Sequence, residues 1–358
     1  MIINEIELNN FRNYKNQIIK LEKGINIFYG NNAQGKTNLL EAIFLCAIGK
    51  SFRTNKDKEF IKFGYDETDV NVYFKKKDRE GKISLQLGQN KKFLVNDILQ
   101  KKTSQILGNI YVVLFTPDDI SILKDGPVNR RRFLDIMISQ LRPTYMHLLS
   151  QYNKTVLQRN IYLRQIRNEN KSTVMLDIWD EKLIELAVKI YDYREEFIHK
   201  IVDKLLGIHS RITNNSEKIS MEYVSNVKNG DYYKKQLLKF RESDIQKGST
   251  SIGIHRDDFK IMINDKEISS YGSQGQHRTA ILSLKIAELE IIYDEVGEYP
   301  ILLLDDFMSE LDEKRRNNLL KSMKNNQVII TCTDKKIFEN FDAVFYNVKN
   351  GTISKFWF

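Results

Sequence analysis

The run Gly30-Asn31-Asn32-Ala33-Gln34-Gly35-Lys36-Thr37 places two glycines, a lysine and a hydroxyl at the spacing G-x-x-x-x-G-K-[ST]. Glycines at those positions let the backbone curl so that successive N–H groups face a chain of phosphates, and a helix opening at Lys36 adds the positive end of its dipole. Lys36 is then placed to reach the β and γ phosphates, and the Thr37 hydroxyl to ligate Mg²⁺. A phosphate loop also needs a carboxylate for the metal, and Ile301-Leu302-Leu303-Leu304-Asp305-Asp306 offers two at the end of an apolar run. Asp305 suits the metal, through water, and Asp306 suits the orientation or activation of an attacking water. Taken alone, an Asp pair closing a strand also simply starts a turn. Ser273-Gln274-Gly275-Gln276, 32 residues before Asp305, reads as a second anion site at a helix start, although by itself an ordinary N-cap accounts for it.

The elements needed to position these groups are visible around them. Ile25-Asn26-Ile27-Phe28-Tyr29 alternates as a strand ending at Gly30, and Leu39, Leu40, Ile43, Phe44 and Ala47 continue at helical spacing, with Gly49 as a stop. Short alternating runs from Val70 to about Asn96 predict antiparallel strands, and Tyr111–Phe115 a buried strand ending before Pro117. From Asp118 to Lys247 the pattern reads as mostly helical, with Leu183, Ala187, Ile190, Phe197, Ile201 and Leu205 on one stripe. Strand runs resume at Phe259–Ile263, Ile301–Leu304 and Val328–Ile330, with a helix from about Arg278 to Tyr293. The order α/β, helical, α/β predicts a helical insertion into a nucleotide-binding domain.

The 358 residues are 41% hydrophobic and 11% aromatic with only 4 prolines, which excludes disordered and collagen-like classes. Cys46 and Cys332 are too few for a disulfide framework, which points to a reducing compartment. No apolar run approaches the roughly 18 residues of a membrane span, and the start lacks a secretory signal, so a cytoplasmic protein is expected. The formal charge of +9 makes a polyanionic partner worth testing. Much of that surplus falls between Arg130 and Lys171, where nine basic residues face only Asp135 and Glu169. Arg130, Arg131, Arg132, Lys154, Arg159, Arg164 and Arg167, interleaved with Tyr145, Tyr152 and Tyr162, are therefore the candidate DNA face. A solvated basic face, or arginines buried against the protein's own acids, remains the alternative. Of the five histidines, His199 and His209 read as helix surface.

Together the motifs resemble the ABC-type ATPase head of the SMC-like DNA-repair proteins, over essentially the whole chain. Further matches are Phe11-Arg12-Asn13-Tyr14, Pro117-Asp118-Asp119 with Gly126-Pro127, Arg130 through Asp135, Gly253 with His255-Arg256-Asp257-Asp258, and Ser309-Glu310-Leu311-Asp312. Asp125 stands where the family pattern has Gly, and Ile254 where it has Pro. The resemblance implies an α/β fold: an ABC-type P-loop head of residues 1–117 and 248–358, with a mixed sheet and an antiparallel β subdomain, and an inserted helical lobe of 118–247. It implies ATP and Mg²⁺ as cofactors, with Arg12 and Asn38 joining the phosphate loop in holding nucleotide and Thr37 and Asp305 holding the metal. Two protomers would sandwich two ATP molecules, so that Ser273, Gly275 and Gln276 of one meet the nucleotide on the other, with Asp312 at the seam. Lys36, Asp305, Asp306 and Ser273 would then carry a weak, DNA-stimulated ATP hydrolysis. The implied setting is recombinational repair on duplex or gapped DNA, with RecR and RecO as partners and RecA loading as the outcome.

Two other readings stay open. One is the ATP-binding subunit of a membrane transporter, against which stand the long helical insertion and the strand after the Asp pair, which leads into Thr331-Cys332-Thr333-Asp334 where transporter heads carry a switch histidine. The other is a nucleotide-gated interaction protein whose hydrolysis is incidental.

Overall fold

In the computed structural model, which describes residues 1–77, 79–310, 312, 316, 319–320, 323–338 and 341–356, the alternating runs of the N-terminal third become an antiparallel sheet. Its order is β2 (Asn16–Lys20), β1 (Ile2–Asn9), β4 (Thr68–Lys76), β5 (Arg79–Leu87), β6 (Lys91–Val95) and β7 (Ile98–Gln100). Along β4 the burial alternates from Thr68 to Phe74, so one face packs inward and the other is wetter, as expected of an antiparallel sheet.

The second sheet carries the phosphate loop. Its order is β15 (Thr352–Phe356), β14 (Ala343–Lys349), β3 (Ile25–Tyr29), β13 (Val328–Cys332), β12 (Ile301–Asp305) and β8 (Val112–Phe115). All neighbours are parallel except β15. β8 and β13 are buried at every position, the near-continuous apolar pattern of strands covered on both faces. Helix α1 (Lys36–Ile48) packs on β4 and β5 of the first sheet and on β8, β12 and β13 of the second. Every residue from Leu39 to Ile48 is accordingly buried, and the helix has no solvent face to make polar.

The chain divides into two compact units, residues 1–119 with 285–358, and residues 120–284. The return boundary falls inside a helix, between 284 and 285, whereas the sequence pattern placed it near 248. The second unit contains short α2 (Ser121–Lys124), α3 (Pro127–Leu141), α4 (Pro143–Glu169), α5 (Met175–Thr213), α6 (Gly230–Lys247) and short α7 (Ile268–Tyr271). It is not purely helical: β9 (Ile219–Val224) pairs with β10 (Asp258–Ile263), which pairs with β11 (Lys266–Glu267). The expected helical span to Lys247 therefore contains a strand whose partner lies beyond it. Helix α8 (Gln274–Val296) begins in this unit and ends in the other. Among the described residues no helix is long and apolar enough to cross a membrane.

Candidate functional site

The loop from Gly30 to Thr37 is shaped by two positions that exclude a side chain. Gly30 has φ 158°, and a Cβ there would stand 2.3 Å from the Val348 carbonyl oxygen on β14. Gly35 has φ 115°, and a Cβ would stand 2.6 Å from the Asn13 amide. Asn13 holds the loop from outside, donating to the Gln34 carbonyl at 2.8 Å and accepting from Asn38 Nδ2 at 2.8 Å, while Tyr14 Oη donates to the Gly35 carbonyl at 2.9 Å. Asn31, Asn32 and Ala33 form the exposed tip, with Ala33 in the left-handed region. No side chain caps the start of α1, which leaves the positive end of that helix for an anion.

Lys36 is buried, and its ammonium donates to the Gly30 and Asn31 carbonyls at 2.7 and 2.9 Å, so the charge is held within the loop. Burial lowers its pKa, while the carboxylates of Asp306 and Asp305 oppose that shift. Thr37 Oγ1 donates to Asp305 Oδ1 at 2.8 Å, which brings the hydroxyl and the carboxylate expected to share a metal into direct contact. Burial pushes the Asp305 carboxyl above its ordinary range, and bonds from Thr331 and Thr37 act against the rise. Asp306 adopts φ 48°, a left-handed turn directly after the strand. Among the described residues no cluster of three or more His, Cys, Asp or Glu forms a metal cage. A Thr hydroxyl beside one carboxylate suits Mg²⁺, which keeps waters and takes its remaining ligands from phosphates.

Several residues at this site carried no motif signal. Thr331 lies on β13, the strand between β3 and β12, where its hydroxyl donates to Asp305 Oδ1 at 2.7 Å and accepts from Asp306 N at 3.0 Å. Glu41, fully buried on α1, accepts a bidentate pair from Arg12 at 2.9 and 2.8 Å, a bond from Ser51 Oγ at 2.6 Å and one from Arg53 at 3.3 Å. Arg53 also reaches Asn38 Oδ1 at 2.7 Å. Arg12, expected as a nucleotide contact, is therefore held by Glu41, with its guanidinium 5.3 Å from the Phe60 ring centroid. One buried carboxylate with two arginines is a charge cluster that spacing does not reveal.

In the second unit, Ser273, Gln274 and Gly275 are exposed at the start of α8. Ser273 Oγ accepts from Gln276 N at 3.2 Å, and Gln276 Oε1 accepts from Ser273 N at 2.9 Å, the reciprocal bonds of a capping box. Leu311 and the side chains of Ser309 and Glu310 lie outside the described residues, and Asp312 is exposed.

The basic stretch is split by the fold. Arg159, expected on the DNA face, is fully buried: its guanidinium donates to Asp180 at 2.7 Å, Asp244 at 2.8 Å and Thr250 Oγ1 at 2.9 Å. Arg130 forms a bidentate pair with Asp258 at 2.5 and 2.9 Å, and Arg131 donates to the Asp257 carbonyl at 2.6 Å, so both brace α3 against the start of β10. Arg132, Lys154, Arg164 and Arg167 are exposed, with Arg167 donating to the Gln246 carbonyl at 3.1 Å. Tyr145 and Tyr152, expected beside phosphates, are fully buried instead, while Tyr162 donates to the Ser172 carbonyl at 2.8 Å. Tyr145 and Tyr152 are core because they lie on the buried side of α4, which packs on α3, α5 and α6.

The histidines divide likewise. His199 is exposed, but His209, expected at the surface, is fully buried with Nδ1 3.0 Å from Ser283 Oγ. His255 lies between Tyr152 Oη at 2.9 Å and the Thr250 carbonyl at 3.1 Å. The carbonyl can only accept, so Nε2 carries the proton and Nδ1 accepts from Tyr152. Gly253 beside it has φ 128°, and a Cβ would stand 2.3 Å from Tyr152 Oη and 2.4 Å from Tyr233 Oη. The Gly253–Asp258 motif is thus the scaffold of the second unit.

Comparison with known proteins agrees with this geometry. The profile of the RecF/RecN/SMC N-terminal domain family matches residues 2–354. A DNA replication and repair protein RecF of Acetivibrio thermocellus is 44% identical over 353 residues, 95% of each chain, and one of Ruminiclostridium cellulolyticum is 43% identical over 99% of each. A solved structure described as the recombination mediator protein RecF with ATP, in the RecFOR pathway, superposes with a TM-score of 0.93 at 39% identity, covering 99% of this chain and 97% of that one. An SMC head domain from Pyrococcus furiosus, 16% identical with a TM-score of 0.58, shares the fold. The phosphate loop, the strand-end Asp pair and the full-length similarity lead to one assignment: the chain belongs to the RecF family of SMC-like, ABC-type ATPases, proteins of DNA replication and repair.

Proposed function

We propose that this chain binds Mg²⁺-ATP at the Gly30–Thr37 loop, closes with a second copy around two nucleotides, and acts in that state on duplex or gapped DNA in recombinational repair. The observation that carries this reading is the contact of Thr37 with Asp305, which unites the phosphate loop with the carboxylate expected to hold the metal. Lys36 would exchange its two carbonyl partners for phosphate oxygens. Thr37 and Asp305 would hold Mg²⁺, which neutralises charge on the β and γ phosphates. Asp306, turned out of the strand end, would orient the attacking water and accept its proton. Ser273 and the Gly275 amide, exposed at the start of α8, would meet the γ phosphate bound to the partner copy, with Gln276 supporting them.

Slow hydrolysis would release the dimer, and DNA would stimulate it. The remaining candidate DNA contacts are Arg132, Lys154, Arg164 and Arg167. RecO and RecR are the partners supported by the solved relative's RecFOR setting, with loading of RecA at gaps as the outcome and the cytoplasm as the place of action. Phosphate release measured with and without a gapped duplex tests the cycle. Turnover that rises with DNA in the wild type and is absent in Asp306→Asn supports it; equal turnover in both proteins assigns the chemistry elsewhere.

A further inference from the structure

The exposed end of α8 is organised from behind by a residue 59 positions before its capping glutamine. Gln276 Nε2 donates to Glu217 Oε1 at 3.0 Å, and Glu217 lies in the segment between α5 and β9. A glutamine amide has two unlike ends, and only its oxygen can take the Ser273 N–H. Glu217, a carboxylate, accepts only, so it selects the Nε2 end of Gln276 and turns Oε1 toward Ser273. With that orientation set, Oε1 holds the Ser273 backbone N–H at 2.9 Å, and Ser273 Oγ, which receives the backbone N–H of Gln276 at 3.2 Å, keeps its own proton free to donate outward. Glu217 is itself backed by the buried His209, whose Nε2 stands 3.4 Å from Glu217 Oε2. The hydrogen bonds between Gln276 and Glu217 and between Ser273 and Gln276 therefore tie the segment between α5 and β9 to the exposed tip of α8, with the His209 ring packed behind the carboxylate.

We infer that Glu217 is a positioning residue for the α8 anion site: it orients the Gln276 amide and, through it, the Ser273 hydroxyl that meets the partner copy's γ phosphate. This rests on the two-copy reading above. It adds to that reading a residue outside every motif.

The test compares full-length wild type, Glu217→Leu, Glu217→Gln and Ser273→Arg by light scattering over a range of protein concentrations with saturating Mg²⁺-ATP. Binding of a fluorescent ATP analogue to dilute monomer and the thermal midpoint are measured on each. Loss of one charge-assisted hydrogen bond predicts that Glu217→Leu raises the concentration for half-dimerisation about tenfold, with analogue affinity and thermal midpoint unchanged. Glu217→Gln, whose amide oxygen still accepts from Gln276, restores dimerisation to within about threefold of wild type, the residue of a neutral for a charged acceptor. Normal dimerisation of Glu217→Leu alongside failure of Ser273→Arg overturns the role of Glu217 while leaving the two-copy site standing. Equal impairment of both Glu217 variants with a lowered thermal midpoint also overturns it, since that is a structural effect. Normal dimerisation of Ser273→Arg removes the two-copy reading and this inference with it.

Discussion

Thr331 Oγ1 and Asp305 Oδ1 are 2.7 Å apart on adjacent parallel strands, and the same hydroxyl takes the backbone N–H of Asp306 at 3.0 Å. One side chain thereby sets both the carboxylate expected to hold the metal and the turn that aims its neighbour. The strand order places β13 between the strand feeding the phosphate loop and the strand ending in the Asp pair, so Thr331 is the only β13 position registered with Asp305.

Thr331→Val keeps the shape of the side chain and removes the hydroxyl. Groups that orient metal ligands typically change metal affinity or activity by about 10- to 100-fold, so the Mg²⁺ concentration for half-maximal hydrolysis should rise by at least about tenfold. Nucleotide binding without metal should be unaffected. A magnesium titration of phosphate release checks this, and a wild-type profile would remove Thr331 from the site.

The phosphate loop and the Asp pair could be read from sequence because their residue types answer local needs: Gly30 and Gly35 occupy conformations and spaces that other residues cannot, and Asp305 is the last residue of the otherwise apolar strand β12. Thr331 could not, because its role comes from strand order rather than from neighbours in sequence. Counting charges along α4 also misled, since Arg159 meets Asp180 on α5 and Asp244 on α6, residues 21 and 85 positions away. Strand β9 was masked by the helices on either side, and its partner β10 starts 34 residues after β9 ends.

Arg159→Met should destabilise the second unit without touching nucleotide chemistry. It leaves Asp244 without its guanidinium and Asp180 with Arg241 alone, and breaking a buried pair costs about 3–5 kcal/mol. Urea unfolding should show that loss, with ATP-analogue affinity of the folded protein retained. A change below about 1 kcal/mol would mean that solvent reaches the cluster.

Burial lowers the His255 pKa from 6.5 to about 4. The folded state therefore holds its proton less tightly than the unfolded chain, and the associated stability is complete above pH 6.5 and lost as pH falls toward 4. The loss approaches about 1.4 kcal/mol per unit within that window. Unfolding midpoints at pH 7.5 and 5 should differ less in His255→Asn than in wild type, and an identical difference would assign the acid sensitivity to other groups.

Arg164 and Arg167, exposed three positions apart near the end of α4, are the sharper test of DNA contact now that Arg159 is internal. If each meets one phosphate, Arg164→Glu with Arg167→Glu should flatten the slope of log affinity against log salt by about 2. Anisotropy of a labelled duplex at several salt concentrations measures it. A slope matching wild type would place the DNA surface elsewhere.

In the proposed cycle, ATP on the Gly30–Thr37 loop joins two copies of the chain and hydrolysis parts them. Light scattering of wild type, Lys36→Met and Asp306→Asn, each followed in time after Mg²⁺-ATP is added, tests it most directly. Wild type should double in mass and then return, Asp306→Asn should double and stay, and Lys36→Met should remain a monomer because it has lost the charge that pairs with phosphate. Asp306→Asn that binds ATP yet keeps the mass of a single chain would contradict it.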